Sequence, residues 1–411
     1  MDAQQANGNT PNDAKLPLVE FILLMAFLTS LVALSIDAML PAMQVIGSEL
    51  NSESSQQTYL IVSIFFVGMA FGQVFFGPFA DARGRRLTIL VGLIIFLLGT
   101  LVCYLAQSME VLLAGRLIQA FGVSGPRIAS MALVRDLYSG NAMARVMSFT
   151  TVIFILVPMV APLVGQFVMH AFGWRHIFSV FAIVAVISAI WFFSRQKETL
   201  PRANRVKFNW LAFFRSVVWL IKQPAVMGPA MGMGLIFGAF LAYLSGSQTI
   251  FQSIYDTGEY FPLLFATLAF AIGAASLFNG MMVVKLGMLK LVRGALIMTV
   301  VFGLAMTIIS VLFNGIPPLW LFVSVMFMGF FFIGVLFGNL NSLAMVPVGH
   351  IAGVGAAFIG SFTSLLAVPI AVFINNYLTT DIYPIAYGFL IFGILTYLAV
   401  NLGIKYTSLE E

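Results

Sequence analysis

Ionised side chains are scarce here: only 9% of the 411 residues are Asp, Glu, Lys or Arg, against 61% that are hydrophobic. That scarcity excludes a water-soluble domain, because so much apolar surface cannot all be turned inward, and the mean hydropathy of +1.03 agrees. There is a single cysteine, Cys103, inside an apolar stretch, so no intramolecular disulfide can form and the redox compartment is not legible. The short alternating segments of a β-barrel are missing, since the apolar runs continue for about twenty residues rather than about ten. No GxxxxGK[ST] loop, HExxH or GxSxG occurs, which argues against ATP-driven transport and against a membrane hydrolase, so no enzyme is expected. His170, His176 and His350 have no partner at metal-ligand spacing, and neither a metal nor another cofactor is expected. The first fifteen residues lack the basic start of a secretory signal and read as a polar cytoplasmic tail, 1–15.

What is present is a series of long apolar runs, twelve of spanning length between residues 17 and 404. The fold class is therefore an all-α membrane protein with twelve transmembrane helices. The longest polar stretch, at 195–224, divides them into six and six, giving bundles at 16–195 and 225–404, a linker at 196–224 and a tail at 405–411. Within the linker Phe208, Leu211, Phe214, Val218 and Leu220 alternate with basic residues at helical spacing, as in an amphipathic helix lying on a membrane surface. Segments 79–92 and 282–295 each centre on a glycine, Gly84 and Gly287, with basic residues after it, the weak internal symmetry of a transporter built from two halves. With both termini placed in the cytoplasm, seventeen of the twenty Lys and Arg residues fall in cytoplasmic loops and helix ends. The net charge of +5 thus reads as topology, and nucleic acid is not an expected partner; the lipid bilayer is.

Charge inside the spans is rarer still, and costly enough to imply a use. Asp37, in LSIDAMLPAM, lies in the first apolar run, about five residues before its expected outer end; an acid at the centre of a membrane helix costs about 2.5 to 3.5 kcal/mol on insertion scales. Desolvation favours its neutral form and a neighbouring arginine its anion, a tension suited to a proton carrier; a solvated carboxylate near the helix end is the alternative. In the fourth run Arg116 and Gln119 share a helical face, and Arg127, eleven residues on, returns to it about 16 Å deeper. Arg116 and Asp37 are expected at similar depth. No Asp or Glu falls between Glu259 and Asp381, so the second half should offer an aromatic and amide wall, with Phe237, Phe240, Tyr243, Asn339, Asn341 and Phe362 as candidates.

The loop GPFADARGRR, with Gly77, Asp81, Arg83, Gly84, Arg85 and Arg86, resembles the loop 2–3 signature of the major facilitator superfamily. The resemblance implies a fold of two pseudo-symmetric six-helix bundles, with these residues and Arg135 acting as an inner-side latch. Arg116, Gln119 and Gly122 are similar to the superfamily's fourth-helix motif, with Ala120 where glycine is usual. VPMVAPLVGQ, with Pro158, Pro162 and Gly165, is similar to its fifth-helix antiporter motif, a hinge. Together with RDLYSGNAMARVMS, FGWRHIF and KETLP, these stretches look like the bicyclomycin and chloramphenicol resistance branch of the drug:proton antiporters. That implies a monomeric, proton-coupled exporter of small drugs in the bacterial inner membrane, with Asp37 and Arg116 coupling protons and Asp37, Arg116, Gln119 and Arg127 contributing to the substrate site. Uptake or export of an endogenous metabolite is the competing expectation. A membrane scaffold or sensor is disfavoured, because it has no need of buried charge.

Overall fold

The computed structural model describes residues 16–52, 55–138, 140–205 and 210–406. The tails 1–15 and 407–411, with Lys15, and Lys207 and Phe208 of the linker, lie outside these. The described residues form fourteen α-helices. In the first half they are α1 (Leu18–Asp37), α2 (Met43–Glu49), α3 (Ser55–Arg83), α4 (Arg85–Tyr104), α5 (Met109–Leu137), α6 (Gly140–Phe172) and α7 (Arg175–Arg195). After α8 (Trp210–Ile221) come α9 (Pro224–Gln248), α10 (Phe261–Leu286), α11 (Met288–Leu312), α12 (Leu319–Met345), α13 (Ala352–Asn375) and α14 (Tyr383–Ile404). Eleven spans are long and apolar enough to cross a membrane; α6 adds the apolar stretch Leu156–Phe172 and makes the twelfth. The chain is a multi-pass membrane protein.

Helices of the first half pack on one another, α5 against α3 and α4, α1 against α6 and α7; in the second half α9 packs against α13 and α14, and α12 against α10 and α11. The two bundles meet along two seams, α3 with α13 and α6 with α10. Lipid offers no hydrophobic drive for helix association, so close approach through small residues has to supply the attraction. Gly122 of α5, for example, lies on the backbone of α4 at Phe96 with no room for a Cβ. The outer ring of Leu98, Leu156, Ile190, Leu304 and Leu398 is exposed, as a lipid-facing surface should be.

Gly84 and Gly287 have φ of +99° and +80° and sit at the same joint in each half, between α3 and α4 and between α10 and α11. Only glycine adopts such values freely, so the paired glycines of the sequence mark a repeated turn. In the linker, α8 turns Leu211, Phe214 and Val218 outward and buries Leu220 on the opposite side, so these four residues do not share one apolar face.

The first span differs from expectation in length. It runs from Leu18 to Glu49 and is broken after Asp37 by the 3₁₀ turn Leu40–Ala42. Pro41 has no N–H to offer the carbonyl four residues back, which is that of Asp37, so the α-helix stops there. Asp37 thus lies at an internal break, twelve residues from Glu49, deeper than the five residues from the end that the sequence suggested.

Candidate functional site

At the joint between α3 and α4 the charged residues form a closed network. Arg85 is nearly buried; its Nη1 donates to Asp81 Oδ1 at 2.8 Å and its Nε to Asp136 Oδ2 at 2.9 Å. Glu198, beyond α7, accepts from the backbone N–H groups of Arg85 and Arg86 at 3.0 and 3.1 Å, capping the start of α4, where free amides and the helix dipole favour a carboxylate. Thr199 donates to Asp136 at 2.7 Å. Arg86 reaches the Phe193 carbonyl at 3.0 Å and Arg83 is exposed. The expected partner Arg135 is replaced by Asp136: neighbours on a helix point about 100° apart, and it is the aspartate that faces Arg85. Asp136 and Glu198 were not anticipated. The first stood beside Arg135, and the second lies more than a hundred residues from its partner.

Higher in the first bundle, Arg116 is fully buried and engaged within α3–α5. Its Nη1 donates to Gln119 Oε1 at 2.7 Å, its Nε to the Ile61 carbonyl at 3.3 Å, and its guanidinium lies 4.3 Å over the Phe65 ring. Gln119 in turn donates to Thr100 at 2.8 Å. Ala120, in place of the usual glycine, is accommodated by Gly68 opposite it on α3, whose Cβ position is 2.8 Å from the Ala120 Cβ. Among the described residues no ion pair joins Arg116 to Asp37. A carbonyl, an amide and an aromatic face take up the guanidinium instead.

Asp37 looks the other way, into a cavity of about 230 Å³ between the bundles. The other walls come from Pro158 of α6, Phe240, Tyr243 and Leu244 of α9, Phe265, Ala269 and Ile272 of α10, and Phe330 and Phe337 of α12. Tyr243 is buried with an unpaired hydroxyl, its ring 4.8 Å from that of Phe330. Phe237 stacks on Phe240 and meets Phe66 across the bundle boundary. Gly165 packs directly on the Ala38 carbonyl, beside the break that Asp37 terminates, with no space for a side chain. Pro158 of the α6 motif thus lines the same cavity as Asp37, and Gly165 packs on the residue after it.

Two further chambers flank this cavity. Toward Glu49 a space of about 660 Å³ is lined by hydroxyl and amide side chains, among them Gln44, Tyr59, Gln248, Thr249 and Ser253, and by no Asp, Glu, Lys or Arg among the described residues. Here the bundles are joined by neutral hydrogen bonds: Gln44 to Ser253 at 2.8 Å, Tyr59 with Thr249 at 2.9 Å, and Gln248 to the Pro41 carbonyl at 3.0 Å. Toward Gly84 a space of about 300 Å³ brings Arg127, Arg135, Asn341, Gly77 and Asp81 together. Arg116, Gln119, Phe237, Asn339 and Phe362 line none of these three cavities; Asn339 gives its amide to Asn279 of α10 and to the Val335 carbonyl, and Phe362 stacks on Phe358. Phe265, Phe330 and Phe337 were missed, since nothing in an aromatic-rich sequence tells cavity wall from packing.

A buried acid in an aromatic cavity between two six-helix halves is an arrangement for moving a solute. In fold the chain is similar to the xylose transporter XylE from E. coli in a partially occluded inward-open conformation (TM-score 0.72, 12% identity, covering 94% of this chain and 97% of that one). In sequence it is 31% identical to a bicyclomycin resistance protein homolog of Haemophilus influenzae, over 83% of this chain and 85% of that protein. It is 30% identical to a chloramphenicol resistance protein of Pseudomonas aeruginosa, over 85% and 84%. The profile of the Major Facilitator Superfamily matches residues 25–372, from within α1 to within α13, and the chain belongs to that superfamily.

Proposed function

We propose that this protein is a proton-coupled efflux transporter of the bacterial cytoplasmic membrane, exporting small amphipathic antibiotics of phenicol or bicyclomycin type as a monomer by alternating access. The names of its relatives support the substrate class. The basic residues collected near Gly84 support a cytoplasmic placement of that end and of both termini.

One observation carries the reading: Asp37, a carboxyl with no hydrogen-bond or ion-pair partner among the described residues, opens at a helix break into an aromatic cavity between the halves. A proton taken up by Asp37 from outside is given up when a substrate or an inward-opening cavity changes its surroundings. The walls of Phe240, Phe330 and Phe337 accept flat apolar groups without a fixed pattern of hydrogen bonds, as a drug exporter of broad range requires. Replacing Asp37 with Asn keeps the shape and removes the exchangeable proton. In everted vesicles we expect Asp37→Asn to abolish drug-dependent proton efflux and drug accumulation; undiminished coupled transport by that variant contradicts the assignment.

A further inference from the structure

The chamber toward Gly84 contains an unmatched positive charge. Arg127 lies about 15 Å inside the Leu137 end of α5, yet its side chain is exposed to the chamber and has no hydrogen-bond or ion-pair partner among the described residues. Met131 and Arg135 follow at four-residue intervals on the same face and line the same space. Among the described residues the charged groups on its walls are these two arginines and Asp81, and Asp81 already accepts from Arg85 at 2.8 Å. Gln73 of α3 and Asn341 of α12 bring amide groups to the same walls. An arginine at this depth is costly unless water or an anion meets it.

A second observation connects this chamber to the aromatic cavity. Phe337 of α12 lines the cavity, and Asn341, one turn on and about 6 Å along the axis, lines the chamber. One face of α12 therefore runs past both spaces, from the phenylalanines toward the arginine chamber. Guanidinium and amide N–H groups together suit the planar oxygens of a carboxylate or sulfonate.

We propose that the chamber around Arg127 is an oxyanion subsite, and that the transporter prefers amphipathic substrates carrying a carboxylate, or an equivalent oxyanion, to their neutral parents. This rests on the export reading above for its physiological role, but it is tested by binding alone.

The probes are radiolabelled chloramphenicol and its succinate hemiester, which share one apolar body, measured by equilibrium binding to the purified full chain in phosphatidylcholine nanodiscs. The expected result is a Kd lower for the ester by about tenfold or more. Arg127→Gln should bring the ratio of the two Kd values to about one, Arg127→Lys should keep part of the preference because it keeps the charge, and Asn341→Leu should shrink it without touching the arginine. Equal Kd values in the intact protein, or a preference untouched by Arg127→Gln, overturn the proposal. Ester binding that depends on Arg127 without any export leaves the subsite standing and overturns the transport reading; export of chloramphenicol with a Kd ratio of one does the reverse. Mass spectrometry of co-purified lipid closes the remaining route. The same retention is expected in intact and Arg127→Gln protein, and loss of a bound phospholipid in the variant assigns the arginine to a lipid headgroup instead.

Discussion

Asp37 and Arg116 show how differently two buried charges can be housed. The carboxyl has no donor among the described residues and faces a cavity, whereas the guanidinium is held by Gln119, the Ile61 carbonyl and the Phe65 ring. Both were legible in the sequence as ionised groups that an apolar span does not tolerate idly. The partners of Arg116 were not, because a backbone carbonyl and a ring face leave no trace in residue spacing. The same limit explains Asp136: RD reads as one charged pair, and only the helix orientation decides that the aspartate meets Arg85 and the arginine meets the chamber. Asp136→Asn removes an ion pair from an arginine that is otherwise buried, and should lower stability by about 1.5 to 3 kcal/mol, read as earlier thermal melting. Arg135→Gln breaks no ion pair and should melt with the parent; the opposite order contradicts the network described here.

At the scale of elements, the break that ends α1 organises the site. Pro41 frees the Asp37 carbonyl, the chain turns through Leu40–Ala42, and Gly165 of α6 closes on Ala38. The twelve-helix plan, the linker helix α8 and the paired turns at Gly84 and Gly287 were readable from run length, charge and glycine position. The break was not, since apolar residues continue past Pro41 to Ile46 and a single proline does not announce where a span stops. Gly165→Val places methyl groups where the Ala38 backbone lies and should cost about 1 to 3 kcal/mol from overpacking, with loss of export beyond what the lower expression explains. Wild-type melting and export in that variant would show that the α1–α6 contact is looser than described.

Across the whole molecule the two ends differ in chemistry. The bundles are joined toward Glu49 by neutral hydrogen bonds such as Tyr59 with Thr249 and Gln44 to Ser253, while the Gly84 end carries the charged network of Asp81, Arg85 and Asp136. Alternating access requires the neutral contacts to part once per cycle. With Gln44→Cys and Ser253→Cys joined by a short thiol-specific bridge, export should stop and return on reduction; Cys103 is buried in α4 and out of reach of the reagent. Between these ends sits the cavity, where substrate and proton are held to compete for one carboxyl. The most direct measurement is the release of protons when drug is added to the purified protein in weakly buffered detergent solution, followed with a pH-sensitive dye. The account predicts release approaching one proton per drug bound in the intact chain and none in Asp37→Asn; equal release from the two proteins would contradict it.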